Sequence, residues 1–182
     1  MTIADGFDPR MLDALAELKA TFPRRARETK RLLLQSGMSE ESIDAALTIT
    51  TGQPSKEIFN ELPILDGTWR PLTPMLRARY SFASSIRDMT WTFPSLKESR
   101  AIISRRTFSQ AVAAHEGHWE GSAPAQFDRG RLSLCAFASL ADGDLAYLVW
   151  GEEQEPEVWA YFGQSETRHE SMLHFVECLC ST

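Results

Sequence analysis

The sequence predicts an α+β fold in which helices flank a mainly antiparallel sheet, with a helical arm at the N-terminus. Apolar residues recur at helical spacing through the first half of the chain, alternate with a period of two after Pro124, and recur at helical spacing again near the end. The chain has 182 residues, 43% of them apolar and 24% charged, which is typical of one soluble domain. Residues 1–47 are predicted to form the arm and residues 48–182 the α+β domain, together making one compact unit.

The arm is predicted to contain two or three helical pieces. Asp8 is a good N-cap and Pro9 suits the first helical position, so a helix begins there. Pro23 is expected to interrupt this helix because proline lacks the N–H that an interior position needs. Ser39 then caps a third, short helix.

Three more helices are predicted before the sheet, at residues 55–61, at residues 74–88 and after Pro94. In the second of these, apolar residues face inward and three arginines face the solvent, namely Arg77, Arg79 and Arg87. Ser95 and Glu98 have the spacing of a capping box, which begins the third helix.

The pattern of the C-terminal part of the sequence predicts a three-stranded antiparallel meander followed by a helix. The strands are residues 132–138, 145–150 and 158–162, and short connections favour pairing between neighbours. Asp142 and Asp144 flank a glycine in the first turn. Thr167 and Glu170 have capping-box spacing, so the last helix is expected over about residues 168–180, covering one face of the sheet.

Charge is distributed unevenly along the chain. Residues 140–182 contain nine acidic residues and one basic residue, Arg168, whereas the rest of the chain is nearly neutral. An acidic region disfavours nucleic-acid binding and favours a basic partner. The N-terminus has no secretory signal, and no apolar run is long enough to span a bilayer, so we expect a cytoplasmic protein without membrane contact.

Histidine pairs are the most tempting candidates for chemistry. His115 and His118 could share a helix face and bind zinc with Glu120, which would suit a metal-dependent hydrolase. The alternative is a polar helix end leading to a buried Trp119, and we favour it because the pattern is not H-E-x-x-H. His169 and His174, five residues apart on the predicted last helix, are expected not to share a face. We therefore predict no metal and no cofactor.

Other catalytic patterns are also weak. The sequence has no G-x-S-x-G, S-x-x-K or glycine-rich phosphate motif. Cys135 falls within a predicted strand, where a buried thiol is the simpler interpretation. The acidic pair at Asp142 and Asp144 is typical of a turn rather than of a catalytic pair. The arginines between residues 70 and 106 indicate a solvated helix face rather than a phosphate site.

Three segments carry a resemblance to a known family. LSLCAFASLADGDLAYLVW at residues 132–150 has a strand, a Gly-Asp turn and a second, strongly apolar strand. EPEVWAY at residues 155–161 contains a Pro-x-Val-x-x-Tyr strand, and SMLHFVECL at residues 171–179 is a closing helix. In order and spacing they resemble the SUKH superfamily, which includes a yeast cell-wall-synthesis regulator and many bacterial immunity proteins.

The resemblance implies an α+β fold without catalytic residues or cofactor, and a protein that neutralises a cognate bacterial toxin by binding and occluding it. A basic toxin such as a nuclease would suit the acidic C-terminal region. An intracellular regulatory or scaffold domain is the alternative, followed by the hydrolase described above. From the charge pattern we predict that acidic residues and an aromatic anchor bind the partner, and the candidates are Asp142, Asp144, Trp150, Glu152, Glu153, Glu155, Glu157 and Trp159.

Overall fold

The computed structural model describes residues 6–47, 49–54, 60–118, 127–163 and 165–181. The protein has an α+β fold, as predicted. The helices in these ranges are α1 (Pro9–Gln35), α2 (Glu40–Ala46), α3 (Pro74–Phe82), α4 (Leu96–Ile103), α5 (Arg106–His118) and α6 (Met172–Ser181). The strands are β1 (Thr50–Thr51), β2 (Glu61–Pro63), β3 (Trp69–Pro71), β4 (Ile86–Arg87), β5 (Thr92–Phe93), β6 (Leu132–Ser139), β7 (Asp144–Val149), β8 (Glu157–Phe162) and β9 (Ser165–His169).

Seven strands form one antiparallel sheet in the order β1-β4-β5-β6-β7-β8-β9, and β2 and β3 form a separate hairpin. The three predicted strands are confirmed as β6, β7 and β8, which pair as consecutive antiparallel neighbours. The register of β6 against β7 shifts between Leu134 and Ala136, so Cys135 occupies a bulge. Cys135 is buried, as expected.

Both faces of the sheet are covered, because residues of β7 alternate between two separate apolar clusters. Leu145 and Tyr147 belong to a cluster with α5 and the C-terminal half of α4. Ala146 and Leu148 point the other way, into a larger cluster with α1, α3 and α6. The result is a three-layer arrangement of helices, sheet and helices.

Helix α1 is one continuous helix, so the predicted break at Pro23 is wrong. Asp8 caps its N-terminus as predicted. Past the proline, the Arg25 guanidinium makes a buried pair with Asp88, with nitrogen–oxygen distances of 3.1 and 2.9 Å. Leu15 and Leu18 lie in the larger apolar cluster. These tertiary contacts on both sides of the proline offset the cost of the lost hydrogen bond.

Helix α3 ends at Phe82, whereas the sequence predicted a helix to about residue 88. The reason is Arg79, which was expected on the solvated face but is 1% exposed. Its guanidinium donates to the carbonyls of Ala83, Ser84, Phe93 and Pro94 at 2.8 to 3.2 Å. Because these carbonyls belong to the chain after the helix and to the end of β5, Arg79 fastens the turn that leads into β4.

The last helix begins at Met172, so the predicted capping box of Thr167 and Glu170 is wrong. Thr167 lies in β9, where it pairs with Ala160 of β8. Ser171 caps the helix instead, since its hydroxyl accepts a hydrogen bond from the His174 N–H at 3.2 Å. The prediction failed because β9 is an exposed edge strand without apolar alternation.

The remaining predicted helices have mixed outcomes. The Ser39 cap of α2 is confirmed, and Ser95 and Glu98 form the predicted capping box of α4. Of the predicted helix at residues 55–61, residues 55–59 lie outside the described part and Glu61 begins β2. None of the helices in the described ranges is both long and apolar enough to cross a membrane.

Candidate functional site

Most of the exposed acidic residues in the predicted binding set lie in the connection between β7 and β8 or directly after it. We call residues 151–156 the acidic loop. Glu152 and Glu153 are exposed there, and Glu157, the first residue of β8, is exposed immediately after it. Three exposed glutamates therefore lie within a short stretch of chain.

Hydrogen bonds hold the start of the acidic loop to Arg131, which directly precedes β6, and to Ser133 within β6. The Trp150 backbone N–H donates to the Arg131 carbonyl at 2.8 Å, and the Arg131 Nε donates back to the Trp150 carbonyl at 2.7 Å. The indole Nε1 of Trp150 also donates to the buried hydroxyl of Ser133 at 3.0 Å. The chain entering the loop is thus held by three hydrogen bonds, one between backbone groups and two that involve side chains.

The second end is fastened by Glu155, which does not face solvent as its neighbours do. Its carboxylate accepts a hydrogen bond from the Thr73 hydroxyl and another, at 3.1 Å, from the Met75 N–H in the first turn of α3. Burial raises the pKa of this carboxyl, and the two hydrogen bonds act in the opposite direction. Glu155 was predicted to bind the partner, and here it serves as a helix cap.

A cleft of about 440 Å³ lies between the acidic loop and the start of α3. Two arginines, Arg70 and Arg77, and the rim residue Glu153 contribute to its lining. The Arg70 guanidinium lies 5.5 Å from the centre of the Trp150 ring, and the buried Nε of Arg77 has no hydrogen-bond partner among the described residues. The cleft therefore offers positive charge next to the acidic loop and suits a polar segment with groups of both signs.

The two tryptophans of the predicted binding set are not available as surface anchors. Trp150 is 5% exposed and Trp159 is 1% exposed. Trp159 also donates to the Glu157 carboxylate at 2.9 Å and lies under the Arg168 guanidinium, 4.2 Å from its ring centre. Trp159 lies in β8 as predicted, whereas Trp150 directly follows the end of β7, and both side chains belong to the apolar clusters. The expectation of an aromatic anchor at these positions is corrected on this ground.

Asp142 lies in the turn at the opposite end of β7, and Asp144 is the first residue of that strand. Gly143 between them has a φ of 78°, a conformation that favours glycine. The exposed Asp142 carboxylate accepts from the Ser139 hydroxyl at 2.6 Å, and Asp144 accepts from the Gly163 N–H at 3.0 Å. A strand of six residues separates this turn from the acidic loop by about 20 Å. The two aspartates thus close turns and form a separate, second acidic patch.

His115 packs against the sheet rather than into an open site. Its Nδ1 lies 2.8 Å from the Tyr147 hydroxyl, and its ring stacks on Tyr161 with centres 4.4 Å apart. Burial raises the pKa of both tyrosine hydroxyls above its usual range. The cluster links α5 to β7 and β8. The other two proposed zinc ligands, the side chain of His118 and Glu120, lie outside the described residues, as does Trp119, which the alternative interpretation expected to be buried.

His169 and His174 were expected to point apart, and the structure brings them together. Because His169 ends β9 and only His174 is on α6, their rings lie 5.4 Å apart at 82°. Cys178 lies one helical turn beyond His174 and completes a group of three possible metal ligands. The four-residue spacing of His174 and Cys178 within a predicted helix could have indicated that two possible metal ligands share one face. The contribution of His169 was hidden by the wrong helix prediction.

The chain matches no protein-family model, no curated protein and no solved structure. Function is therefore inferred from the geometry and chemistry described above.

Proposed function

We propose that this protein is a non-catalytic immunity protein that binds a basic toxin in the cytoplasm and neutralises it by covering its active surface. The observation that carries the proposal is an acidic loop held at both ends, by Arg131 and by Glu155, while Glu152 and Glu153 remain exposed. A loop that is already ordered loses little conformational entropy when it binds.

A nuclease is the class of toxin that fits this surface best. Its nucleic-acid groove must be positively charged to hold a phosphate backbone. Carboxylates displayed on a rigid loop are complementary to such a groove and would compete with the substrate for it. The neighbouring cleft, with Arg70 and Arg77, can receive an acidic or amide side chain of the same partner.

The first experiment asks whether the partner exists. We expect the product of the adjacent reading frame to co-purify with this protein and to lose its toxicity when the two are co-expressed. If the adjacent product neither binds nor is toxic, the assignment as an immunity protein is wrong.

The second experiment tests the acidic loop. We predict that Glu152→Lys with Glu153→Lys slows association with the toxin by about 10-fold or more at low salt and removes most of its salt dependence. Electrostatic steering speeds the diffusional approach of the two proteins, so the dissociation rate of the complex should change much less than the association rate. Stopped-flow or surface-plasmon measurements at several ionic strengths provide both rates. Glu155 is left intact so that the fold is not disturbed.

The matched control carries the same change in net charge at another surface. Glu28→Lys with Glu41→Lys alters exposed positions of α1 and α2, outside the acidic loop. We expect this variant to associate nearly as fast as the unmodified protein. Equal slowing in both variants would show that only net charge matters, and an unchanged rate in the loop variant would place the interface elsewhere.

A further inference from the structure

Three side chains with metal-ligating atoms converge where the edge strand meets the last helix. His169 is the final residue of β9, and His174 and Cys178 lie on α6. One ligand atom from each lies within 4.8 Å of the other two. His169 and Cys178 are half-buried and His174 is exposed, so the group opens to solvent on one side.

The backbone explains why these residues meet. His174 and Cys178 are four residues apart on a helix, which places them on the same face one turn apart. His169 is held from the other side, because its strand is paired with β8 and it lies opposite Val158 in that ladder. The two residues between β9 and α6 are too few to separate them. Each ligand thus projects from regular structure rather than from a loop.

The chemical type of the three ligand atoms indicates which metal ion the group would bind. Two imidazoles and one thiolate are nitrogen and sulfur ligands, which zinc prefers over the oxygen ligands of magnesium or calcium. Zinc bonds of about 2.0 to 2.3 Å in a tetrahedron place ligand atoms about 3.3 to 3.7 Å apart. The ligand atoms, which lie within 4.8 Å of one another, are close to this spacing, and the side chains must approach one another slightly to bind the ion.

The Nδ1 atom of His169 supplies an independent observation. It is buried and has no hydrogen-bond partner in the described part of the chain. A buried polar atom left without a partner costs free energy, and such cases call for an explanation by an ion, a water or a functional role. A metal ion bound by this atom would give it a partner.

We propose that His169, His174 and Cys178 bind one zinc ion with an open fourth position. The ion would join the edge strand β9 to α6 on the solvent-facing side. Three protein ligands leave one coordination position for water or for a group from another molecule. This inference does not depend on the proposed toxin binding, because the acidic loop lies on a different connection of the sheet.

The test uses the full chain, stripped of metal with a chelator and titrated with Zn²⁺ or Co²⁺. We expect one equivalent of zinc by calorimetry and by competition with a chromogenic chelator. Co²⁺ should show the visible bands of tetrahedral coordination together with a thiolate charge-transfer band in the near ultraviolet. Zinc should also slow alkylation of Cys178 and raise the melting temperature.

Substitutions then assign the ligands. We expect His174→Asn and Cys178→Ser each to weaken zinc binding at least about 100-fold, and Cys178→Ser to remove the charge-transfer band. Cys180→Ser is the matched control on the same helix, because Cys180 points toward Ala14 of α1 and should not affect binding. Circular dichroism shows whether each variant remains folded.

Several outcomes would overturn the proposal. These are the absence of stoichiometric zinc binding, a cobalt spectrum without a thiolate band, or equal affinity in the His174→Asn, Cys178→Ser and unmodified proteins. Zinc binding that is lost in His115→Asn and kept in His174→Asn would place the ion on α5 instead. Folded variants with the predicted losses would support His174 and Cys178 as ligands of the proposed site.

Discussion

At the scale of single residues, Glu155 shows how position in three dimensions changes the role of a charged side chain. It follows two exposed glutamates in the sequence, but its carboxylate accepts from Thr73 and from the Met75 N–H at the start of α3. Thr73 in turn accepts from the Leu76 N–H, and Pro74 has no N–H to satisfy. The N-terminal donors of α3 are therefore satisfied by two different segments of the chain.

We predict that Glu155→Ala lowers the free energy of unfolding by about 1 to 2 kcal/mol, the usual cost of losing a helix cap. Urea denaturation followed by circular dichroism measures the effect. Glu152→Ala is the control, since its side chain is exposed, and it should change stability by less than about 0.5 kcal/mol. Equal effects of the two substitutions would contradict the capping role of Glu155.

At the scale of elements, α1 is tied to the sheet by the Arg25–Asp88 pair. Both side chains are almost fully buried, and Asp88 lies directly after β4. The Arg25 guanidinium also donates to the Leu18 carbonyl at 3.2 Å, in the helical turns before Pro23. The pair therefore supports the continuous helix at the position where the sequence predicts a break.

We predict that Asp88→Ala lowers the free energy of unfolding by about 3 to 5 kcal/mol, because it leaves the Arg25 charge buried without its partner. The double substitution Arg25→Met with Asp88→Leu should cost less than Asp88→Ala, since no buried charge remains. Lys30→Ala, which breaks ion pairs with the exposed carboxylates of Glu40 and Asp44, should have a much smaller effect than Asp88→Ala, because solvent screens these pairs. Urea denaturation curves separate these cases. A double variant as unstable as Asp88→Ala would argue against an unpaired charge as the cause.

At the scale of the whole molecule, one sheet separates two apolar clusters. Leu15 of α1 lies in the larger cluster, and Ile102 of α4 lies in the smaller one. Both clusters include alternate residues of β7, so loss of packing on either face removes support from the same strands. We therefore expect the two clusters to unfold together as one cooperative unit.

The prediction is that Leu15→Ala and Ile102→Ala each cost about 2 to 5 kcal/mol and that their effects add in the double variant. Unfolding should remain a single transition, with coincident curves from circular dichroism and tryptophan fluorescence. Two separate transitions in either variant would mean that the layers are independent.

The sequence by itself determined the elements whose signals are local. The caps at Asp8, Ser39 and Ser95, the alternation in β6 and the short apolar segments of β7 and β8 are short-range patterns, and the predicted caps and strands are confirmed. It also indicated the acidic connection after β7. These features could be predicted because a cap or an alternation is complete within a few residues.

Only the tertiary structure decided which side chains are available. Arg79, Trp150 and Trp159 could not be placed from their own neighbours, because distant helices and carbonyls bury them. The edge strand β9 has no apolar alternation, and its extended form depends on hydrogen bonds to β8. The meeting of His169 with His174 and Cys178 follows from that pairing. Long-range contacts therefore determine both which residues of the predicted binding set are exposed and where the candidate metal ligands meet.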